Sequence, residues 1–259
     1  MAHYVTTGDL ARALVRESTG GIEAAFAWGW ITHLLADVIY HPRINQAVAR
    51  RGSHASDSHV TSLSYADDSV GHMRVEMGLD GFYSQKQPLE VRSIRLRPPF
   101  AHVDNSLSRA CQAAYGQLVA PGALLRCHQT SLRLSRWVQD VSSIIGSEMG
   151  PDKILLARPI RSQLLYRCVQ LLTWFAPGSL LFAVTHARVP DDALVAAAEV
   201  AEKELRLKFQ QCIENDACSL DNFNLDLGIV ETSPGSYPLT QRALVEYGRR
   251  METKRGGNA

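Results

Sequence analysis

The chain has 259 residues and a mass of 28.6 kDa, which is enough for one large domain with a sizeable buried core. Its 27 basic and 26 acidic side chains leave a formal net charge of +1, which argues against a nucleic-acid binder that depends on overall positive charge. Five cysteines share no short repeated spacing. They indicate neither a disulfide scaffold nor a cysteine zinc site, so we expect mostly buried thiols.

The amino-terminal segment lacks the basic and apolar regions of an export signal and contains Asp9. We therefore expect a cytoplasmic protein as the chain stands, and an exported one if a further segment precedes Met1. An uncharged stretch at 168–185 reaches the lower length limit for a membrane helix, but Pro177-Gly178 interrupts it. We interpret this stretch as two buried helical pieces joined by a turn.

The first half of the chain predicts two long helices. An apolar segment at 22–40 predicts a helix that ends before Pro42, because the residue before a proline avoids the helical conformation. A polar stretch at 50–69 predicts a loop, and a second helix is expected from Ser69 through Phe82. Residues 91–97 suit an extended connection or a short strand.

Helical periodicity continues through the rest of the chain, and no internal repeat is found. Asp104 or Asn105 can cap the next helix, and Pro190-Asp191-Asp192 places proline and acids where a later helix begins. The predicted helices lie near residues 105–119, 131–145, 160–175, 191–214 and 239–253. Helices therefore dominate, and the sequence predicts an all-α fold.

Two short pairs of histidine and acid recur on the first two predicted helices. His33 and Asp37 are four residues apart, so they lie on one helical face and can share an ion, and His41 follows four residues later. His72 and Glu76 repeat the spacing. Imidazole nitrogens and carboxylate oxygens are zinc ligands, so three histidines and two acids could serve two neighbouring ions.

Each pair also has a simpler interpretation. A single pair with this spacing arises by chance, or forms an internal salt bridge on a helix. The first pair, however, lies in a segment that is apolar on nearly all sides, which indicates a buried helix. Because a buried aspartate is costly unless it is paired or bound to a metal, burial favours a metal site.

The residues that carry these pairs resemble the bacterial zinc-dependent phospholipase C family, whose relatives include the fungal single-strand nucleases. The run at 27–37, Ala-Trp-Gly-Trp-Ile-Thr-His-Leu-Leu-Ala-Asp, is followed by His41-Pro42 and by His72-x-x-x-Glu76, in the order of the family's ligands. The resemblance implies a multi-helix phospholipase C or single-strand nuclease-like fold that holds two or three Zn²⁺ ions.

The resemblance also implies a role for each ligand. His33 and Asp37 would hold one zinc, and His3 would join them. His41, His72 and Glu76 would hold a second zinc, and Asp37 could bridge the ions. Family members carry further ligands and an aspartate base before the equivalent of His3, so the chain resembles a member that lacks its amino-terminal part, or one with fewer ligands.

We expect a single helical domain at 1–253, with a metal-binding part at 3–82 and a helical part at 100–253, followed by a disordered tail at 254–259. A piece at 222–228 is similar to an asparagine and aspartate-rich segment of some bacterial members, with no role assigned to it. The sequence assigns no catalytic residue beyond the metal ligands.

The function implied is a zinc-dependent phosphodiester hydrolase of the phospholipase C type. Its partner would be a phospholipid or another phosphodiester, with a peripheral membrane contact for which Trp28, Trp30, Phe82 and Tyr83 are conceivable, although such aromatic residues usually belong to a core. The alternatives are a noncatalytic helical module stabilised by metal, a nuclease of the same fold, and, last, a helical interaction protein without metal.

Overall fold

The computed structural model describes residues 6–51, 61–65, 67–86, 100–116, 119–120, 122–123, 126, 167–168, 171–175, 180–215 and 220–230. Helices account for 74% of the described residues and strands for 3%, which confirms the all-α prediction. The elements are α1 (Thr7–Glu17), α2 (Gly21–Arg51), α3 (Ser69–Lys86), α4 (Phe100–Tyr115), α5 (Leu180–Thr185), α6 (Asp192–Glu214), β1 (Phe223–Asn224) and β2 (Ile229–Val230).

Some predicted features lie outside the described residues. They are His3, the segment at 91–97, the helices near 131–145 and 239–253, and the tail at 254–259. The chain divides into two compact units, one made of residues 1–42, 98–125 and 200–259 and the other of residues 43–97 and 126–199. The single domain at 1–253 stays a prediction.

The helix α2 does not end before Pro42, so the predicted end was wrong. It continues to Arg51 with Pro42 inside it. Proline removes one backbone hydrogen bond from a helix. The residues after it compensate by burial, because Ile44, Ala47 and Val48 are 4% exposed or less.

The first unit has its core along one side of α2. Ile31, Leu34, Leu35 and Val38 of this helix pack with Ala11 of α1, Cys212 of α6, Leu220 and Leu225. A second cluster joins Leu10, Ala13 and Leu14 of α1 with Ala27 of α2 and Ala110 of α4. These side chains repeat at helical spacing, which is why α1 packs along α4.

The strands β1 and β2 form a short antiparallel hairpin in the same unit, with Phe223 opposite Val230 and Asn224 opposite Ile229. Thr7 fixes it to the start of α1: its hydroxyl donates to the Phe223 carbonyl at 3.0 Å and accepts the Phe223 N–H at 2.8 Å. The turn ends at Gly228, whose φ of 67° favours glycine.

In the second unit α3 packs against α5. The Arg74 guanidinium lies over the Phe182 ring at 5.3 Å, and its Nε donates to the His186 carbonyl at 2.6 Å. The backbone of Arg188 comes so close to α3 that a Cβ added at Gly78 would overlap the Arg188 carbonyl. Glycine thus permits this close approach of chain segments.

The start of α6 is as predicted, whereas that of α4 is not. Asp191 caps α6, because its carboxylate accepts the Leu194 N–H at 2.7 Å. α4 begins at Phe100, so Asp104 and Asn105 lie inside it and do not cap it. A residue type that favours helix caps does not mark the start of a helix when it lies inside that helix.

Burial of the stretch at 168–185 was predicted wrongly in part. Phe182 and Ala183 are buried, but Leu171, Leu172, Trp174 and Phe175 are exposed. Apolar residue type alone does not decide burial at a turn.

The expectation of mostly buried thiols was also wrong in part. Among the described cysteines, Cys212 is buried, Cys111 is half-buried and Cys168 is exposed.

One of the described helices, α2, is long and apolar enough over Gly21–Arg50 to cross a bilayer. The core helix of a globular unit meets the same criteria, and α2 supplies the core residues named above. Its length and composition are therefore weak grounds for a membrane span.

Candidate metal centre

Three predicted ligands form a row on α2. His33 Nε2 lies 3.4 Å from Asp37 Oδ2, and His41 Nε2 lies 3.9 Å from Asp37 Oδ1. His41 therefore lies close to Asp37, whereas a helix end before Pro42 would have let its side chain lean away. The helix continues through Pro42, so His41 keeps its helical position one turn beyond Asp37.

The row runs from a buried end to an open one. Asp37 and His41 have side chains that are 12% and 14% exposed, whereas His33 is 44% exposed. A carboxylate as buried as Asp37 requires a proton, a hydrogen bond, an ion pair or a metal ion. Two imidazoles on either side of it supply partners of that kind.

The hairpin turn orients His41. His41 Nδ1 lies 2.7 Å from the Leu225 carbonyl oxygen. A carbonyl oxygen only accepts, so Nδ1 carries the proton and donates it, which leaves the lone pair of the neutral ring on Nε2. Backbone carbonyls commonly fix metal-ligating histidines in this way.

The segment at 222–228 acquires a structural role here. Asn224 is fully buried, and its Oδ1 accepts the N–H groups of Asp226 and Leu227 at 3.1 and 3.3 Å. Its backbone carbonyl accepts the Gly228 N–H at 2.8 Å. These bonds hold the turn that presents the Leu225 carbonyl to His41, so the segment supports a candidate ligand.

The second pair lies near the start of α3. His72 Nε2 is 3.1 Å from Glu76 Oε1, and the His72 side chain is 1% exposed while that of Glu76 is 29% exposed. The Tyr65 ring meets the His72 ring edge to face, with 5.4 Å between centroids. The pair therefore combines a buried, sterically fixed imidazole with a carboxylate that water can reach.

Two aspartates that precede α3 stabilise the start of this helix. Asp68 caps the helix, because its carboxylate accepts the Gly71 N–H at 2.8 Å. Asp67 Oδ2 accepts the N–H and the hydroxyl of Ser64 at 3.0 and 2.7 Å. These contacts give both aspartates a structural use in positioning His72.

Each unit thus contains candidate zinc ligands of its own, His33, Asp37 and His41 on α2 in the first and His72 and Glu76 on α3 in the second. Imidazole nitrogens and carboxylate oxygens match the ligands of zinc, and three protein ligands are the usual number in catalytic zinc sites. His3 lies outside the described residues.

The aromatic residues considered for a lipid-facing rim are partly buried. The Trp28 ring meets Phe209 edge to face at 5.9 Å, and the Trp30 ring lies 5.6 Å from that of His33. Both indoles pack against the core cluster of the first unit. Phe82 and Tyr83 contact each other at 5.5 Å and are half-buried.

Comparison with family models finds a match to part of the chain. The sequence profile of zinc dependent phospholipase C matches residues 2–122. No curated protein and no solved structure matches the chain. The matched segment contains all six candidate ligands, from His3 to Glu76, and so the resemblance to the zinc-dependent phospholipase C family is confirmed over residues 2–122.

Proposed function

We propose that this protein is a zinc-dependent phosphodiester hydrolase that cleaves phospholipids in the manner of a phospholipase C. The observation that carries the proposal is the presence of two sets of imidazole and carboxylate donors inside the segment that matches the family. One set is His33, Asp37 and His41 on α2, and the other is His72 and Glu76 on α3. Their ligand types fit zinc, and the close approach of the donors within each set fits ligands that share an ion.

Each residue has a defined part in this proposal. His41 would bind through Nε2, because Nδ1 donates to the Leu225 carbonyl. His72 is buried and fixed by α3, and Glu76 supplies negative charge one turn away. Bound zinc would polarise a phosphoryl oxygen and lower the pKa of a water molecule to about 7.

We further propose that His33, Asp37 and His3 belong to a second ion. The 3.4 Å separation between His33 Nε2 and Asp37 Oδ2 supports this pairing, and the exposure of His33 leaves that end of the row open to a substrate. Asp37 lies between His33 and His41, so it is the carboxylate best placed to serve two ions.

The test is hydrolysis by the full chain after zinc loading. Short-chain phosphatidylcholine, a simple phosphodiester and single-stranded DNA are compared before and after removal of the metal by a chelator. We expect phosphatidylcholine hydrolysis to disappear with the metal and to return with added zinc. Preference for single-stranded DNA would replace the phospholipase proposal by the nuclease alternative.

A protein that binds zinc and hydrolyses none of the three compounds would contradict the enzymatic proposal. It would favour the noncatalytic alternative, in which the ligands hold helices together. The zinc content after dialysis tests the last alternative, because a helical interaction protein without metal would retain no zinc.

A further inference from the structure

A cluster of large apolar side chains lies on the surface of the second unit. Leu171, Leu172, Trp174 and Phe175 are 67%, 68%, 62% and 89% exposed. We call these four residues the apolar turn. Single exposed apolar residues are common, but four within five positions form a patch, and such patches mark sites of contact with an apolar partner.

The apolar turn is held in a defined conformation. Thr173, between its members, is 5% exposed, and its hydroxyl lies 3.1 Å from that of Thr185. The Trp174 N–H donates to the Leu171 carbonyl, and the Phe175 N–H donates to that of Leu172, both at 3.3 Å. Anchoring one residue inside directs its neighbours outward.

Trp174 is supported on one side only. Its ring meets Phe182 and His186 edge to face, with centroids 6.0 and 5.1 Å apart, while most of its surface stays exposed. A supported aromatic ring loses little conformational entropy when it enters another phase. Indole rings also favour the boundary between hydrocarbon and water.

The sequence around the apolar turn has one sign of charge. Residues 153–190 contain no aspartate or glutamate, although the whole chain carries nearly equal numbers of acids and bases. The basic residues of this stretch are Lys153, Arg158, Arg161, Arg167 and Arg188. Of these, Arg167 is exposed and precedes the apolar turn by four residues, and basic side chains next to an apolar surface attract anionic lipid headgroups.

We propose that the apolar turn inserts into the headgroup region of an anionic phospholipid bilayer. The proposal rests on the proposed function, because it identifies where a hydrolase would meet the aggregated form of its substrate. A bilayer fits better than a second copy of the chain. Self-association through this face would bring together two copies of Arg167, which is exposed and precedes the apolar turn by four residues, and like charges repel.

The test is sedimentation of the full chain with vesicles of phosphatidylcholine alone and of phosphatidylcholine with about a third phosphatidylglycerol. The double variant Leu172→Ser/Phe175→Ser is compared with Leu207→Ser, which changes a 63% exposed leucine of α6. We expect the wild type and Leu207→Ser to bind the anionic vesicles, more weakly at high salt, and the double variant to bind about tenfold less.

Equal binding of all three proteins, or no binding by the wild type, would overturn the inference. Loss of a dimer in the double variant without any difference in vesicle binding would assign the apolar turn to self-association. Hydrolysis of monomeric short-chain phosphatidylcholine by the wild type is measured in parallel. Its absence with intact vesicle binding would reject the proposed function and leave the membrane contact standing.

Discussion

The imidazole of His41 is fixed from two directions, by its place on α2 and by the Leu225 carbonyl 2.7 Å from Nδ1. The turn that carries this carbonyl ends at Gly228, against the Val38 carbonyl and the Pro42 ring. Pro42 cannot donate to Val38, so this stretch of α2 lacks one helical hydrogen bond. A glycine without a side chain lets the turn approach at that point.

We expect Gly228→Ala to destabilise the protein by about 1–3 kcal/mol and to weaken zinc binding, because a methyl group would be strained at positive φ and would overlap α2. Gly29→Ala is the matched control, since a Cβ there meets nothing within 4 Å. That control should raise stability slightly, as alanine favours helices. Urea denaturation of both variants checks the difference, and equal stabilities would contradict the role of Gly228.

Glu23, at the start of α2, makes the stability of the folded protein depend on pH. Hydrogen bonds from the Ser106 side chain and from the backbone and side chain of Thr19 lower its pKa from 4.5 to about 2. Folded protein therefore resists protonation of Glu23 more than unfolded protein does. Its contribution to stability is fully present above pH 4.5 and is lost as the pH falls towards about 2.

We expect Glu23→Gln to lower the melting temperature at neutral pH and to reduce the further loss of stability on acidification through this window. Glu214→Gln, at the exposed end of α6, serves as the control. Thermal unfolding over a pH series measures the effect. Parallel pH curves for the wild type and Glu23→Gln would show that Glu23 contributes no such stabilisation.

At the scale of elements, local sequence patterns identified helices better than they identified helix ends. Apolar periodicity indicated α2 and α3, and the aspartate at 191 indicated the start of α6. The end of α2 was missed because buried residues after Pro42 stabilise the helix through contacts that neighbouring residues do not reveal. Tertiary packing overrode a local stop signal.

Gly78 shows the same competition in α3. Helix propensity alone predicts that Gly78→Ala should stabilise the protein by about 1 kcal/mol. A Cβ at this position would overlap the Arg188 carbonyl, so we expect destabilisation by about 1–3 kcal/mol instead. Chemical denaturation shows whether the free energy of unfolding of the variant is lower or higher than that of the wild type. A more stable variant would mean that the Arg188 segment can move away from α3 at little energetic cost.

At the scale of the whole molecule, residue types predicted an all-helical protein and the side chains of a metal centre, because ligand chemistry is carried by identity and spacing. The support of His41 by Leu225 could not be predicted. That hydrogen bond joins residues 184 positions apart and uses a backbone carbonyl, which every residue possesses. Exposure of the apolar turn was missed because composition does not tell which side of a turn faces solvent.

The zinc content of Glu76→Gln tests the central claim most directly, with Glu202→Gln as its control. Both glutamates pair with a residue four positions away on a helix, but Glu202 faces Arg206 on an exposed surface. After zinc loading and dialysis, we expect Glu76→Gln to retain about one zinc ion fewer per chain and to melt about 5–10 °C lower, while Glu202→Gln resembles the wild type. Equal zinc content in the three proteins would contradict the metal centre.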